Sequence, residues 1–396
     1  MFQLRRGLVA ALALTLPALA ACTDNSAGST ADGAGGSGGS GGSGGTVQVV
    51  SRDDACELST DTAPSGNLVF TVKNEGSTVT EFYLYDEDGT RIVGEVENIG
   101  PGLSRDLVLR AAPGSYVTAC KPGMTGDGIR ADFTVTDSGA DVSASDAARQ
   151  LERNATDQYA DYVRDEVDAL LDGTRAFVAA YQSGRDDQAR TLYPQVRVHW
   201  ERVEPVAESF GDLDPRMDLR EADLAEGQEW TGWHLLEKDL WPPRDYQPLT
   251  DRERQEYGDQ LVADTEELHE RTRTLTYTVD QIGNGAKELL DEVATGKVTG
   301  EEEIWSHTDL WDFQANVDGA EAGFEALEPL VERKDPELEE TLDDRFEALQ
   351  DLLGKYRTDD GFVSYTALSE EEVKELSDAV NALSEPLSRL TATVTL

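Results

Sequence analysis

Basic residues, histidine and cysteine are all scarce in this chain of 396 residues. It has 34 Lys and Arg against 79 Asp and Glu, which gives a formal charge of −45 at pH 7. Such an acidic surface repels a phosphate backbone, so nucleic acid is a poor candidate partner, whereas the charge suits cations. Proteins from salt-tolerant organisms are also acidic, so charge alone does not establish cation binding.

Long apolar runs are absent except at the N-terminus. There, two arginines precede an apolar stretch over residues 8–21, which ends in L-A-A-C at Cys22. The stretch is short for a membrane span, and it predicts a lipoprotein signal over residues 1–21. Cys22 would then carry the lipid that holds the protein in the bilayer, with an ordinary secretory peptide as the alternative. Residues 22–46 form this anchor and a flexible Gly/Ser-rich linker.

Only three cysteines occur, and the anchor uses one of them. Cys56 and Cys120 remain in an oxidising location, where a disulfide is the expected state and a thiolate metal site the alternative. The first histidine is His199. A blue-copper centre needs two histidines beside its cysteine, so this kind of site is excluded from the N-terminal part.

Two patterns divide the rest of the chain. Residues 47–137 alternate in short apolar runs separated by turn signals, which predicts a small antiparallel sandwich of about seven strands. From residue 138 to 396 apolar residues recur every three or four positions, which predicts an all-α bundle of about six or more helices. The inner helices are expected near residues 186–209, 220–240, 250–296, 300–332 and 336–356.

All six tryptophans and three of the four histidines lie in two acidic stretches, residues 199–241 and 305–313. Residues three or four apart share one face of a helix, so Glu201 with Glu204, and His234 with Glu237, can each direct two side chains at one point. Two such pairs facing one another would make an oxygen-rich metal site with one imidazole.

Several longer motifs together resemble the EfeO-type components of iron uptake systems, whose helical domain is of the imelysin or M75 type. The resemblance covers nearly all of the mature chain. It rests on E-N-I-G-P-G at 97–102, P-G-S-Y-V-T-A-C at 113–120, the stretch 199–215, R-E-A-D at 220–223, W-T-G-W-H-L-L-E at 230–237 and S-H-T-D-L-W-D-F-Q-A-N-V-D-G at 306–319.

The resemblance implies a cupredoxin-like β-sandwich followed by an imelysin-like domain of two packed four-helix bundles with a cleft between them. It implies iron binding outside the cytoplasm and delivery to a membrane iron permease, with a haem peroxidase as a further partner. The iron ligands it implies are His234, Glu237, Glu201, Glu204, Asp218 and Asp309.

Some of these residues have other interpretations. Asp218 has a rival role as a turn or cap residue. In S-H-T-D, helix capping by Ser306 or Thr308 is the alternative to metal binding by His307. Asp312 stands behind Asp309 as a further oxygen donor. His199 is expected in a supporting or core position, and His269 lies in an ordinary charged surface.

For the N-terminal domain the resemblance raises a second metal site, holding copper or a second iron. Its residues would be Cys56 and Cys120 with Glu81 or Met124, and the disulfide stays open beside it. Whether the domain oxidises ferrous iron is left open.

A ligand set rich in carboxylates suits hard cations, including Fe²⁺ and Fe³⁺. Together with the resemblance, this implies an iron-binding lipoprotein of the cell exterior rather than an enzyme. A zinc metallopeptidase of the M75 type is the alternative, although only the half-motif H-L-L-E is present where zinc proteases have H-E-x-x-H. A cell-surface polysaccharide-binding module is a third interpretation.

Overall fold

The computed structural model describes residues 45–395 apart from 88, 90, 139–145 and 226. The predicted signal peptide, Cys22 and most of the linker lie outside these residues. A β-sandwich comes first and a helical domain follows, as predicted. The strands are β1 Thr46–Arg52, β2 Ala55–Leu58, β3 Thr62–Pro64, β4 Gly66–Asn74, β5 Thr80–Tyr85, β6 Ile92–Ile99, β7 Ser104–Ala111, β8 Gly114–Cys120 and β9 Ile129–Thr136.

The sandwich has two sheets, with strand orders β2-β1-β4-β7 and β3-β9-β8-β5-β6. The prediction of an antiparallel sandwich is wrong for two pairs, because β1 runs parallel to β4 and β3 runs parallel to β9. Between β2 and β4 the chain passes through β3 of the second sheet. Alternation identifies the side chains that face the core, but it does not encode the direction of a neighbouring strand.

Aromatic packing and a disulfide join the two sheets. The ring of Phe70 lies 5.1 Å from that of Phe82 and 5.3 Å from that of Phe133, measured between centroids. Cys56 on β2 and Cys120 on β8 form a disulfide, with their Cα atoms 5.6 Å apart. In this oxidised form neither sulfur offers a thiolate to a metal.

The helical domain contains two groups of four helices, and within each group every helix contacts two others so that the four close on themselves. One group consists of α1, α2, α4 and α5, the other of α6, α7, α8 and α9, and α7 contacts both α1 and α2. No helix among the described residues is long and apolar enough to cross a membrane. The helices are α1 Asp146–Gln182, α2 Asp186–Glu201, α3 Leu213–Met217, α4 Trp233–Leu240, α5 Asp251–Thr272, α6 Val279–Thr295, α7 Asp309–Lys334, α8 Pro336–Gly354, α9 Glu370–Leu387 and α10 Leu390–Thr395.

Four predicted helices have different bounds, and the one expected at 300–332 begins only at Asp309. The stretch 250–296 is two helices, because Thr278 caps α6 by accepting a hydrogen bond from the backbone N–H of Gln281. In 220–240 only α4 is α-helical, since Gly232 precedes it with φ at +87°. The helix predicted at 186–209 ends at Glu201, and Glu204 begins a separate 3₁₀ helix, Glu204–Phe210. Glu201 and Glu204 therefore do not share one α-helical face.

The sandwich packs on the helical domain through β6 and β7, which contact α6 and α10. The side chain of Asn284 donates to the carbonyl of Val108 at 3.0 Å. Arg105 forms an ion pair with Asp291 at 2.7 Å. Residues of both domains therefore line the space beside α6.

Candidate metal centre

The short helix α4 holds the two residues of the H-x-x-E motif. His234 and Glu237 are both buried, and Nδ1 of His234 lies 3.4 Å from Oε2 of Glu237. The other Glu237 oxygen accepts the backbone N–H groups of Trp305 and Ser306 at 3.0 and 2.7 Å. These bonds tie the first acidic stretch to the second.

The other ring nitrogen of His234 points at two further carboxylates. Nε2 lies 3.5 Å from Oδ1 of Asp218 and 3.4 Å from Oε1 of Glu302, and it is buried without a hydrogen-bond partner. Oδ2 of Asp218 accepts the indole N–H of Trp200 at 2.8 Å, which fixes this carboxylate. Asp218, His234 and Glu302 thus place three ligand atoms within 4.8 Å of one another.

A second group shares the same ring. His234, Glu237 and Glu303 also bring three ligand atoms within 4.8 Å of one another, on the Nδ1 side. Glu303 accepts hydrogen bonds from the hydroxyl groups of Tyr193 at 3.1 Å and Ser306 at 2.9 Å. The imidazole therefore has potential metal ligands beside both of its nitrogens.

A fully buried arginine lies at the centre of these acids. Arg197 projects from α2 one turn before Glu201 and has no solvent exposure. Its guanidinium pairs closely with Glu201 and Asp218, and it reaches Glu303 at 2.8 Å, Glu302 at 3.4 Å and Asp312 at 3.6 Å.

A buried lysine holds the E-x-x-E pair. Nζ of Lys297 lies 2.9 Å from Glu201 and 2.6 Å from Glu204, and the side-chain amide of Asn316 donates to the same two carboxylates at 2.9 and 2.7 Å. The structure brings Glu201 and Glu204 together, but around Lys297. Arg197 is the link between Glu201 and the group at His234.

The charges of the site shift the pKa values of its members. Burial and Arg197 lower the pKa of His234, but the nearby carboxylates of Glu237 and Glu302 outweigh both and raise the pKa to about 9. Burial raises the pKa of Glu302, but Lys297 and His234 hold it well below its usual range. In the metal-free protein His234 is therefore protonated at neutral pH, and a cation that binds the imidazole must displace that proton.

Asp309 and Asp312 lie at the start of α7, on the edge of the cluster. Oδ1 of Asp309 accepts the backbone N–H of Glu303 at 3.1 Å, while its Oδ2 has no hydrogen-bond partner. Burial raises the pKa of Asp309 to about 6. Neither oxygen of Asp312 has a hydrogen-bond partner. Both side chains leave oxygen atoms available beside the central group.

The other histidines lie in different surroundings. Nδ1 of His199 lies 2.6 Å from Glu166, and Nε2 of His269 lies 2.8 Å from Asp168. His307 is half-buried with φ at +57°, and its carbonyl accepts the backbone N–H of Tyr365. None of the three belongs to a close group of ligand atoms among the described residues.

Four members of the site were missed by the sequence interpretation: Arg197, Lys297, Glu302 and Glu303. A signal existed for the glutamates, because only Ile304 separates E-E-E at 301–303 from the W-S-H-T-D motif. The two bases gave none, because most of the acids that pair with Arg197 and both acids that pair with Lys297 are distant from them in the chain.

The sandwich residues proposed for a second metal site each have different surroundings. Oε2 of Glu81 accepts the hydroxyl of Tyr83 at 2.8 Å, and burial raises the pKa of Glu81 to about 7. Met124 is 43% exposed on the 3₁₀ turn Pro122–Met124. With Cys56 and Cys120 oxidised, a site of these four residues would first require reduction of the disulfide.

Comparison with known proteins gave two family matches. Residues 155–390 match the imelysin family and residues 14–135 the cupredoxin-like domain. An "Efem/EfeO family lipoprotein" of Staphylococcus haemolyticus is 45% identical over 241 residues, which cover 60% of this chain and 83% of that protein. The "Iron uptake system component EfeO" of Escherichia coli O157:H7 is 36% identical over 347 residues, which cover 87% of this chain and 90% of that protein. Its namesake in strain K12 is 35% identical over the same length.

Proposed function

The chain belongs to the EfeO family of iron uptake components, and we propose that it captures iron outside the cytoplasm at His234 and delivers it to a membrane iron permease. One observation carries the proposal of the binding site. Nε2 of His234 is buried, has no hydrogen-bond partner and faces the carboxylates of Asp218 and Glu302. A buried polar atom without a hydrogen-bond partner destabilises the fold unless a bound ligand supplies the missing interaction.

Three side chains would hold the iron most directly: Nε2 of His234 and carboxylate oxygens of Asp218 and Glu302. This set of one imidazole and two carboxylates suits iron, with zinc and copper as competitors for the nitrogen. Glu237 faces Nδ1 and would orient the ring, as a carboxylate behind a metal-bound histidine commonly does. Glu303, Asp309 and Asp312 would add negative charge or further oxygens.

Glu201 and Glu204 have a different part in this proposal. Lys297 and Asn316 already bind both carboxylates, so iron would have to displace a buried ammonium group to use them. We therefore place them beside the iron site, where they hold the charge of Lys297 and Arg197. Iron that binds at His234 would release the imidazolium proton, so affinity falls as acid returns that proton and neutralises the carboxylates.

The location and partners complete the proposal. The lipoprotein name of the staphylococcal relative and the uptake name of the E. coli relatives support a membrane-associated site outside the cytoplasm. Acylation of Cys22 would anchor the chain, and the Gly/Ser-rich linker would let the folded part reach a permease and a haem peroxidase of the same system. No observed feature favours the zinc metallopeptidase or the polysaccharide-binding module as a second function.

Iron binding by the mature chain tests the site. Metal-free protein is dialysed against ferric citrate, or against ferrous iron without oxygen, and bound iron is measured by mass spectrometry. His234→Ala and Asp218→Asn should each lose the ion at this site. His269→Ala removes a histidine from a half-exposed ion pair with Asp168 and should keep it. Unchanged iron in His234→Ala would overturn the assignment.

A further inference from the structure

A second group of carboxylates lies where the sandwich meets the helical domain. Glu95 of β6, Glu208 of the 3₁₀ helix and Glu288 of α6 each place an oxygen within 4.8 Å of the others. We propose that these three residues form a second cation site, which takes one hard cation such as ferric iron. The inference goes beyond the proposed function, because the site shares no residue with the group at His234.

One of the three carboxylates is buried with an oxygen that nothing satisfies. Glu95 is 6% exposed, and its Oε2 has no hydrogen-bond partner. The residue lines the cavity between the two domains, whose volume is about 350 Å³. An ionised carboxylate in such a place is unfavourable unless a proton or a cation compensates it.

No base in the described part of the chain pairs directly with these carboxylates, although burial raises the pKa of Glu288 and the charge of Lys287 lowers it. Among the residues that the structure describes, no Lys, Arg or His forms an ion pair with Glu95, Glu208 or Glu288. Lys287 precedes Glu288 on α6, but its ammonium pairs with Asp291 at 2.7 Å. Two basic residues line the cavity itself: Lys121 lies over the ring of Tyr83, and Arg220 pairs with Glu302 and Asp223.

Close packing of two helical segments brings the helical-domain members together. Gly285 of α6 lies against Pro205, and a Cβ atom at this glycine would stand 1.7 Å from the carbonyl oxygen of Pro205. Only glycine allows this approach, which sets the 3₁₀ helix with Glu208 beside Glu288. On the sandwich side, Val96 is buried in the sandwich core and its neighbour Glu95 lines the cavity.

The chemistry of the group selects the class of ligand. Three carboxylates without nitrogen or sulfur favour hard cations and give zinc and copper no preferred donor. Burial and the nearby Asp214 raise the pKa of Glu208 to about 8, as expected for acids that share a space without a base. Asp218 and Glu302 line the same cavity, so both proposed sites open into it.

Iron stoichiometry separates the two sites. The mature full-length chain is dialysed against ferric citrate as wild type, as Glu95→Gln/Glu288→Gln, as His234→Ala, and as all three changes combined. The wild type should bind two irons, each single-site variant should lose one, and the combined variant should lose both. Glu339→Gln/Asp343→Asn is the matched control, because these residues form another three-carboxylate group with Glu328. It should keep both ions.

The outcomes distinguish this site from the first. If Glu95→Gln/Glu288→Gln binds as much iron as the wild type, the second site is overturned, while loss of iron in His234→Ala would still support the proposed function. If His234→Ala has no effect and the double variant loses one ion, the second site stands alone. Gln has nearly the same volume as Glu, so the substitution should preserve packing. If the thermal unfolding midpoint of the variant is no lower than that of the wild type, the loss of iron does not result from unfolding.

Discussion

The two carboxylate groups of this protein differ in how their charge is balanced. Around His234, two fully buried bases, Arg197 and Lys297, pair with the acids. At the domain junction, Glu95 and its two partners have no ion-paired base among the described residues. The first group can therefore keep its shape without a metal, whereas the second needs protons or an external cation. Buried carboxylates in one molecule can thus form a metal site whose charge is already balanced by internal bases, or a site whose charge only protons or a bound cation can balance.

The largest effect is expected when the internal base of the first group is removed. Arg197→Met leaves several buried carboxylates without their partner, and breaking buried pairs of this kind costs about 3–5 kcal/mol in the free energy of unfolding. Urea unfolding of the metal-free chain measures this loss. Arg175→Met is the control, because its pair with Glu266 is half-exposed and contributes about 0–1 kcal/mol. Equal losses in both variants would remove the distinction between the two groups.

Replacing a glutamate by glutamine should change the free energy of unfolding in opposite directions in the two groups. Glu201→Gln takes a charge away from Lys297 and Arg197 and should destabilise the metal-free chain by about 3 kcal/mol. Glu95→Gln removes an uncompensated buried carboxylate and should stabilise it by about 1 kcal/mol. Unfolding free energies at pH 7 test both variants, and destabilisation by Glu95→Gln would show that the junction has a base after all.

The residue behind the imidazole should affect iron rather than stability. Glu237→Gln keeps a side chain beside Nδ1 but weakens the orientation of the ring, so we expect iron affinity to fall by about 10–100-fold. Glu256→Gln, on the exposed face of α5, is the control and should leave affinity unchanged. Competition with a chelator of known strength measures the change, and an unaltered affinity would count against iron at His234.

The junction group should also affect the pH dependence of stability. The pKa of Glu208 is raised from 4.5 to about 8, so the folded metal-free chain holds this proton more tightly than the unfolded chain. The resulting stability is present below about pH 4.5 and is lost as the pH rises towards about 8. Glu208→Gln should flatten the slope over this window, and a variant with the wild-type slope would assign the titration elsewhere.

Sequence patterns predicted the order of the domains and the H-x-x-E group, because alternation, helical period and short motifs are local. Strand direction in the sandwich and the end of α2 before Glu204 depend on distant contacts. The burial of Arg197 and Lys297 has no local signature, since it depends on acids that are mostly distant in the chain. Glu95, Glu208 and Glu288 are far apart in the chain, so only the packing of β6, α6 and the 3₁₀ helix reveals them as a group.

Diffraction at the iron absorption edge, from crystals of the mature chain grown with ferric citrate, tests the central claim most directly. The account predicts an anomalous peak within bonding distance of Nε2 of His234, between the carboxylates of Asp218 and Glu302, with Lys297 still bound to Glu201. A peak at Glu201 and Glu204 in the place of the Lys297 ammonium, with none beside His234, would contradict it.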